Sequence, residues 1–177
     1  MYVPEMDQDI SYGYYNDGGG AVSLFDDPTP GESNSGSEAF YGYTSDPEFS
    51  SPGGFKDDFF NLFITSETED ATIYYTTNGS KPDQSSNIYN NFLAVNNSLL
   101  VNGTQTQDDY GLDFSPTHNG IIIRAVAIAP GYVPSKIITH SYIFDPLHTT
   151  WPVVSIAIDP DDMFDPITGM YVTGNSF

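Results

Sequence analysis

Two short stretches of this chain concentrate oxygen donors. "DPDDMFD" supplies Asp159, Asp161, Asp162 and Asp165, and "DDYGLD" supplies Asp108, Asp109 and Asp113. Carboxylates held close together in a loop, with backbone carbonyls beside them, are the ligands that Ca²⁺ takes. Neither stretch has the spacing of an EF-hand loop, with glycine at its sixth position and glutamate at its twelfth. The competing reading of the first stretch is a proline-containing turn in which an aspartate caps a short helical turn. Ca²⁺ is a candidate ligand of either loop on charge density alone.

Other chemistry finds less support. A glycosidase holds two carboxylates across a sugar, but with 24 acidic residues the sequence selects no pair. Nucleophile elbow, phosphate loop, zinc-protease helix and dinucleotide fingerprint are all missing from the sequence. His118, His140 and His148 are scattered, and His140 falls on an alternating strand pattern that suits packing better than catalysis. No catalytic or cofactor-binding residue is nominated, and the chain is not expected to be an enzyme. Glycan recognition needs exposed aromatic faces with polar neighbours, and Tyr74, Tyr75, Tyr89, Tyr110, Tyr132 and Trp151 are the candidates. Tyr74 and Tyr75 are adjacent, so in a strand one faces the core and the other faces outward. Asn78, Asn97 and Asn102 lie in expected turns or loops and are read as candidate glycan acceptors.

The charge balance narrows the partners. Twenty-four Asp and Glu against four Lys and Arg give a net charge of −20. Such a surface repels phosphate backbones and anionic lipid heads, so neither nucleic acid nor a membrane is expected as a partner. It favours solubility and cationic or protein partners. With no cysteine, disulfides and thiolate sites are excluded. No stretch reaches the roughly 20 apolar residues of a membrane span. The opening "MYVPEMDQDI" lacks the basic start and apolar run of a signal peptide. On a secreted protein it would read as a mature chain or a fragment.

The elements that must position these residues are short. Residues 1–47 contain no Lys or Arg and are rich in Gly, Ser, Asp and Tyr. By composition they form a weakly ordered acidic arm. Two related stretches, "SYGYYND" (11–17) and "FYGYTSD" (40–46), interrupt it as candidate edge strands or docking contacts. From residue 48 the pattern changes. Strands are expected over 59–65, 72–77, 88–89, 92–95, 98–101, 121–129, 136–144 and 153–158, separated by turn residues. Asn78-Gly79 is expected to close a tight turn. "GMYV" (169–172) reads as the start of another strand. The expected fold is all-β: an immunoglobulin or fibronectin III-like β-sandwich with an acidic N-terminal arm. The arm covers 1–47, the sandwich 48–145, and a C-terminal strand with an Asp/Pro-rich joint 146–177.

"FSSPGGF", "ATIYYTTNGSKPDQSSNIY" and "IIIRAVAIAPGYVPSKIITHSYIF" together resemble the chitobiase/β-hexosaminidase C-terminal module, also called the Fn3-associated domain. The resemblance covers about residues 49–144. The tail "PVVSIAIDPDDMFDPITGMYVTG" looks like the stretch that joins such a module to a CotH-like domain of bacterial surface proteins. The resemblance implies a non-enzymatic, structural or accessory module at a bacterial cell surface or in a secreted protein. One alternative is a self-assembling subunit of a filament or surface layer, adding its arm or tail as a strand to the next copy. The other is a carbohydrate-binding module. The expected partners are neighbouring domains, identical subunits or a glycan.

Overall fold

The computed structural model describes residues 6–7, 9–16, 18–99, 119–144, 154–165 and 167–170. Its centre is the long strand β10 (Asn119–Ile128). Along β10, Ile121, Ile123, Ala125 and Ala127 are fully buried, while Ile122, Arg124 and Ile128 keep partial exposure on the opposite face. This two-residue period puts every second side chain into one core. β10 pairs antiparallel with β11 (Ile138–Phe144) on one side and β7 (Thr72–Thr76) on the other. β8 (Asn87–Ile88) extends the sheet beyond β7, and β4 (Gly54–Phe55) joins β11 in parallel.

A second layer closes the core. β5 (Phe60–Leu62) pairs with β9 (Leu93–Val95), and β6 (Ile64–Thr65) pairs with β3 (Glu48–Phe49). Leu62, Ile64 and Val95 from this layer pack with Ile73, Tyr142, Phe144 and the buried face of β10. The chain is an all-β sandwich, as its alternating short strands imply. The expected strand over 59–65 divides at Phe63 into β5 and β6, which take different partners. Its in-and-out alternation continues through the break, with Leu62 and Ile64 buried and Phe63 48% exposed.

Three local expectations are corrected. The strand expected at 98–101 begins instead in a 3-10 turn, Asn97–Leu99, where the Leu99 N–H donates to the Asn96 carbonyl. The Asn96 side chain accepts from the Ser98 N–H at 2.9 Å, and such local side-chain bonding competes with a strand ladder. Leu100 and Val101 lie outside the described residues. The strand expected at 153–158 is absent over the described residues 154–158. Val154 and Ile156 are 81% and 76% exposed there, so the apolar alternation has no sheet to bury it. Finally, Asn78-Gly79 does not close a two-residue hairpin. β7 and β8 pair with Tyr74 opposite Ile88, which leaves residues 77–86 as a longer connection. The "GMYV" stretch lies mostly outside the described residues.

The acidic N-terminal stretch contains regular structure where composition predicts little. β1 (Ser11–Asn16) and β2 (Gly19–Phe25) form a hairpin. Its Leu24 clusters with Phe40 and Val133, and Phe25 is fully buried. The second Tyr-Gly-Tyr copy runs beside the turn that follows β10. Tyr41 N–H donates to the Gly131 carbonyl and Val133 N–H to the Gly42 carbonyl, each at 2.9 Å. Gly131 has φ +75°, and a Cβ there would meet the Tyr41 ring at 3.0 Å. A few buried apolar side chains, clustered with Val133 of the sandwich, order a stretch whose average composition is polar.

Candidate functional site

Local and long-range polar contacts meet at "NGSK" (78–81). The Asn78 side-chain oxygen accepts from the Ser80 N–H at 3.1 Å and the Ser80 hydroxyl at 2.6 Å. Thr76, the last residue of β7, donates its hydroxyl to the Ser80 carbonyl at 2.6 Å. Arg124, on the outer face of β10, donates from Nη1 to the Gly79 carbonyl at 2.7 Å. Its Nε is buried with no hydrogen-bond partner among the described residues.

The C-terminal segment docks on this turn. Asp159 accepts from the Lys81 N–H through Oδ2 at 2.8 Å and from the Asp161 N–H through Oδ1 at 3.1 Å. The second bond makes it the N-cap of a short helix, α1 (Pro160–Phe164), with proline in the first turn where a missing N–H costs little. The Lys81 and Asp161 N–H groups hold the Asp159 carboxyl below its ordinary value, and the Arg124 and Lys81 charges add to the effect. Gly79 has φ +87°, and a Cβ there would lie 2.8 Å from the Ile158 carbonyl oxygen. Glycine is therefore required twice, by the backbone conformation and by the close approach of the segment.

These contacts determine what the four clustered aspartates do. Asp159 caps and docks. Asp165 accepts from Thr168 N–H and Ile167 N–H, both at 2.8 Å, and from the Thr168 hydroxyl at 3.0 Å. Those bonds lower its pKa, the Thr168 backbone contributing most. Asp161 and Asp162 lie in the first turn of α1, where the helix dipole favours negative charge. Among the described residues no group of three or more Asp, Glu or His is gathered around a common point as an ion requires. Asp108, Asp109 and Asp113 lie outside the described residues, as do His118, His148, Tyr110, Trp151 and Asn102.

The candidate tyrosines separate by role. Tyr75 packs against the core. Tyr89 is structural too, its hydroxyl accepting from Ile64 N–H at 3.1 Å and donating to the Asn91 carbonyl at 2.6 Å. Tyr74 faces outward, and with Tyr132 it lines a groove of about 400 Å³ between the N-terminal stretch and the outer face of β7. Thr72, Gln84, Asp26, Glu38 and Asp70 supply polar edges to this groove.

Two asparagines share one geometry. The triplet that contains Ser98 begins at Asn96, so Asn96 replaces Asn97 as the acceptor position. Asn96 Oδ1 accepts from the Ser98 N–H at 2.9 Å and the Ser98 hydroxyl at 2.7 Å, as Asn78 does with Ser80.

His140 belongs to the packing. Its ring stacks on Phe49 with centroids 4.6 Å apart, and Nδ1 accepts from the Gly53 N–H at 2.6 Å. Burial lowers its pKa, and the Lys56 charge lowers it further.

Sequence reasoning passed over Arg124 and Lys81 as separate features. A lone arginine inside an apolar strand was the available signal for the first, and nothing local marks the second. Compared with known proteins, residues 62–142 match the family described as Fn3 associated, a span that runs from the end of β5 into β11. No curated protein and no solved structure matches the chain.

Proposed function

We propose that this chain is a non-enzymatic accessory module of a larger extracellular or cell-surface protein, holding its neighbours in a set arrangement. The match of residues 62–142 to the Fn3-associated family carries this reading. The docking of Asp159 on the Lys81 N–H supports it, because that contact sets the direction in which the chain leaves the sandwich. The resemblance of residues 152–174 to a joint ahead of a CotH-like domain agrees with a position next to another folded unit. Val154 and Ile156, both exposed, offer that unit or a second copy an apolar strip to cover. Antibody against this chain tests the location. Labelling of intact cells or of the culture medium is expected, and labelling only after lysis overturns the reading. Negative-stain images of concentrated protein test assembly between copies, with filaments favouring strand addition.

A second reading, carbohydrate binding, is favoured by the groove in which Tyr74 and Tyr132 stand beside Thr72 and Gln84. Aromatic faces with polar neighbours suit the alternating apolar and hydroxyl surfaces of a sugar. Retention on insoluble polysaccharides that Tyr74→Ala and Tyr132→Ala each reduce is the expected result. No retention on a broad panel ends this reading and leaves the first intact.

A further inference from the structure

We propose that Asn78 is a site of spontaneous backbone modification, converting to aspartate and isoaspartate through a succinimide. The nucleophile is the Gly79 nitrogen and the electrophile is the Asn78 side-chain amide carbon. Three features of the turn prepare this reaction.

The electrophile is activated. Asn78 Oδ1 accepts from both the Ser80 N–H at 3.1 Å and the Ser80 hydroxyl at 2.6 Å. Two donors on a carbonyl oxygen draw charge from its carbon and stabilise the oxyanion that forms when it is attacked. The same bonds close a ring across the 78–79 peptide and hold the side chain beside it. The nucleophile has no hydrogen bond to give up: Gly79 is buried, but its N–H has no hydrogen-bond partner among the described residues. Asn78 itself is exposed, so water and hydroxide reach it.

The step balances without any further reagent. Hydroxide removes the Gly79 amide proton, and the nitrogen bonds to the Asn78 amide carbon. The bond from that carbon to Nδ2 breaks, and the nitrogen leaves as ammonia after taking a proton from water. Water then opens the five-membered ring at either carbonyl. One route yields aspartate, the other an isoaspartate that carries an extra atom in the main chain. Neither step involves oxidation or reduction.

The consequence falls on the joint. The turn is held by Arg124 on the Gly79 carbonyl, and a single added atom at Gly79 would already collide with Ile158. A lengthened backbone at 78–79 moves this carbonyl away from Arg124. It also carries Lys81 away from Asp159, so modification loosens residues 154–165 from the sandwich.

The chain contains its own comparison. Asn119-Gly120 is the same dipeptide, but it opens β10 and pairs with Phe144 and Ile143 across the ladder. That pairing holds the backbone at 119–120 extended, which opposes the turn that ring closure requires. The intact protein is incubated in mildly alkaline buffer, digested, and its peptides are resolved by liquid chromatography with mass spectrometry. The expected result is conversion at Asn78, with separated aspartate and isoaspartate products, at least several-fold faster than at Asn119. Ser80→Ala, which removes one of the two activating donors, is expected to slow it several-fold. Conversion at Asn78 no faster than at Asn119 overturns the proposal. Equal or faster conversion in folded Ser80→Ala removes the role assigned to the hydroxyl and overturns the activation argument.

Discussion

The Asp159 carboxylate accepts the Lys81 backbone N–H at 2.8 Å across 78 residues of sequence. It joins the turn after β7 to the start of α1, so one side chain both caps a helix and attaches the C-terminal segment.

Replacing Asp159 tests this attachment. Asp159→Ala removes the cap and the bond to Lys81, and is expected to weaken docking of the segment by about 1 kcal/mol, the usual worth of an N-cap. Faster hydrogen exchange at the Lys81 and Asp161 amides, with the core amides unchanged, is the signature. The folded protein holds this carboxyl below its ordinary 3.8. The contribution is therefore complete above that value and is lost as pH falls through the folded-state pKa.

His140 gives a separate response at milder acidity. Its folded pKa lies below 6.5 because burial disfavours the charged ring and the Lys56 charge repels a proton. The unfolded chain then binds the proton more readily. Stability from this group is complete above about 6.5 and declines as pH falls from there to the folded value. Protonation would also put a second donor against the Gly53 N–H, which now donates to Nδ1 at 2.6 Å. Thermal unfolding followed between neutral and mildly acidic pH is expected to show a fall in the wild type. His140→Gln, which keeps an acceptor and cannot titrate, should show a shallower one.

Neighbouring residues on β5 and after it should differ sharply. Leu62 is fully buried, and Leu62→Ala is expected to cost about 3 kcal/mol through lost burial and a cavity. Phe63, 48% exposed and 6.4 Å from the Phe92 ring centre, faces the other way. Phe63→Ala should change stability by only about 0.5 kcal/mol. Denaturant unfolding of the two variants compares them directly.

The Tyr142 hydroxyl donates to the Ser51 carbonyl at 2.8 Å from a fully buried ring. Burial raises its pKa well above the usual tyrosine range, so it stays a donor at any working pH. Tyr142→Phe is expected to cost about 1 kcal/mol, the net worth of a typical hydrogen bond, read as a lower melting temperature.

Alternation along 72–76, 121–128 and 138–144 was enough to place β7, β10 and β11, because a two-residue hydrophobic period is local information. The same alternation at 153–158 led to a strand that does not form over the described residues 154–158, since a strand needs a ladder partner and this segment contacts β11 through a side chain, Ser155 to Ser141. The adjacency of Tyr74 and Tyr75 determined that they would face opposite ways. Which of them faces the core depends on the register of β7 with β10, where Tyr75 lies opposite Ala125 on its buried face.

By itself the sequence determined the all-β class, the absence of disulfides, the acidic surface and the glycine at the turn. All of these follow from composition or from residues a few positions apart. Only the tertiary structure brought Asp159 to Lys81, Arg124 to Gly79 and Phe40 to Leu24. Such contacts depend on chain closure over long separations, which no local pattern encodes. The aspartates of 159–165 show the difference most clearly: as residue types they are metal ligands, and in the fold two of them are committed to backbone N–H groups.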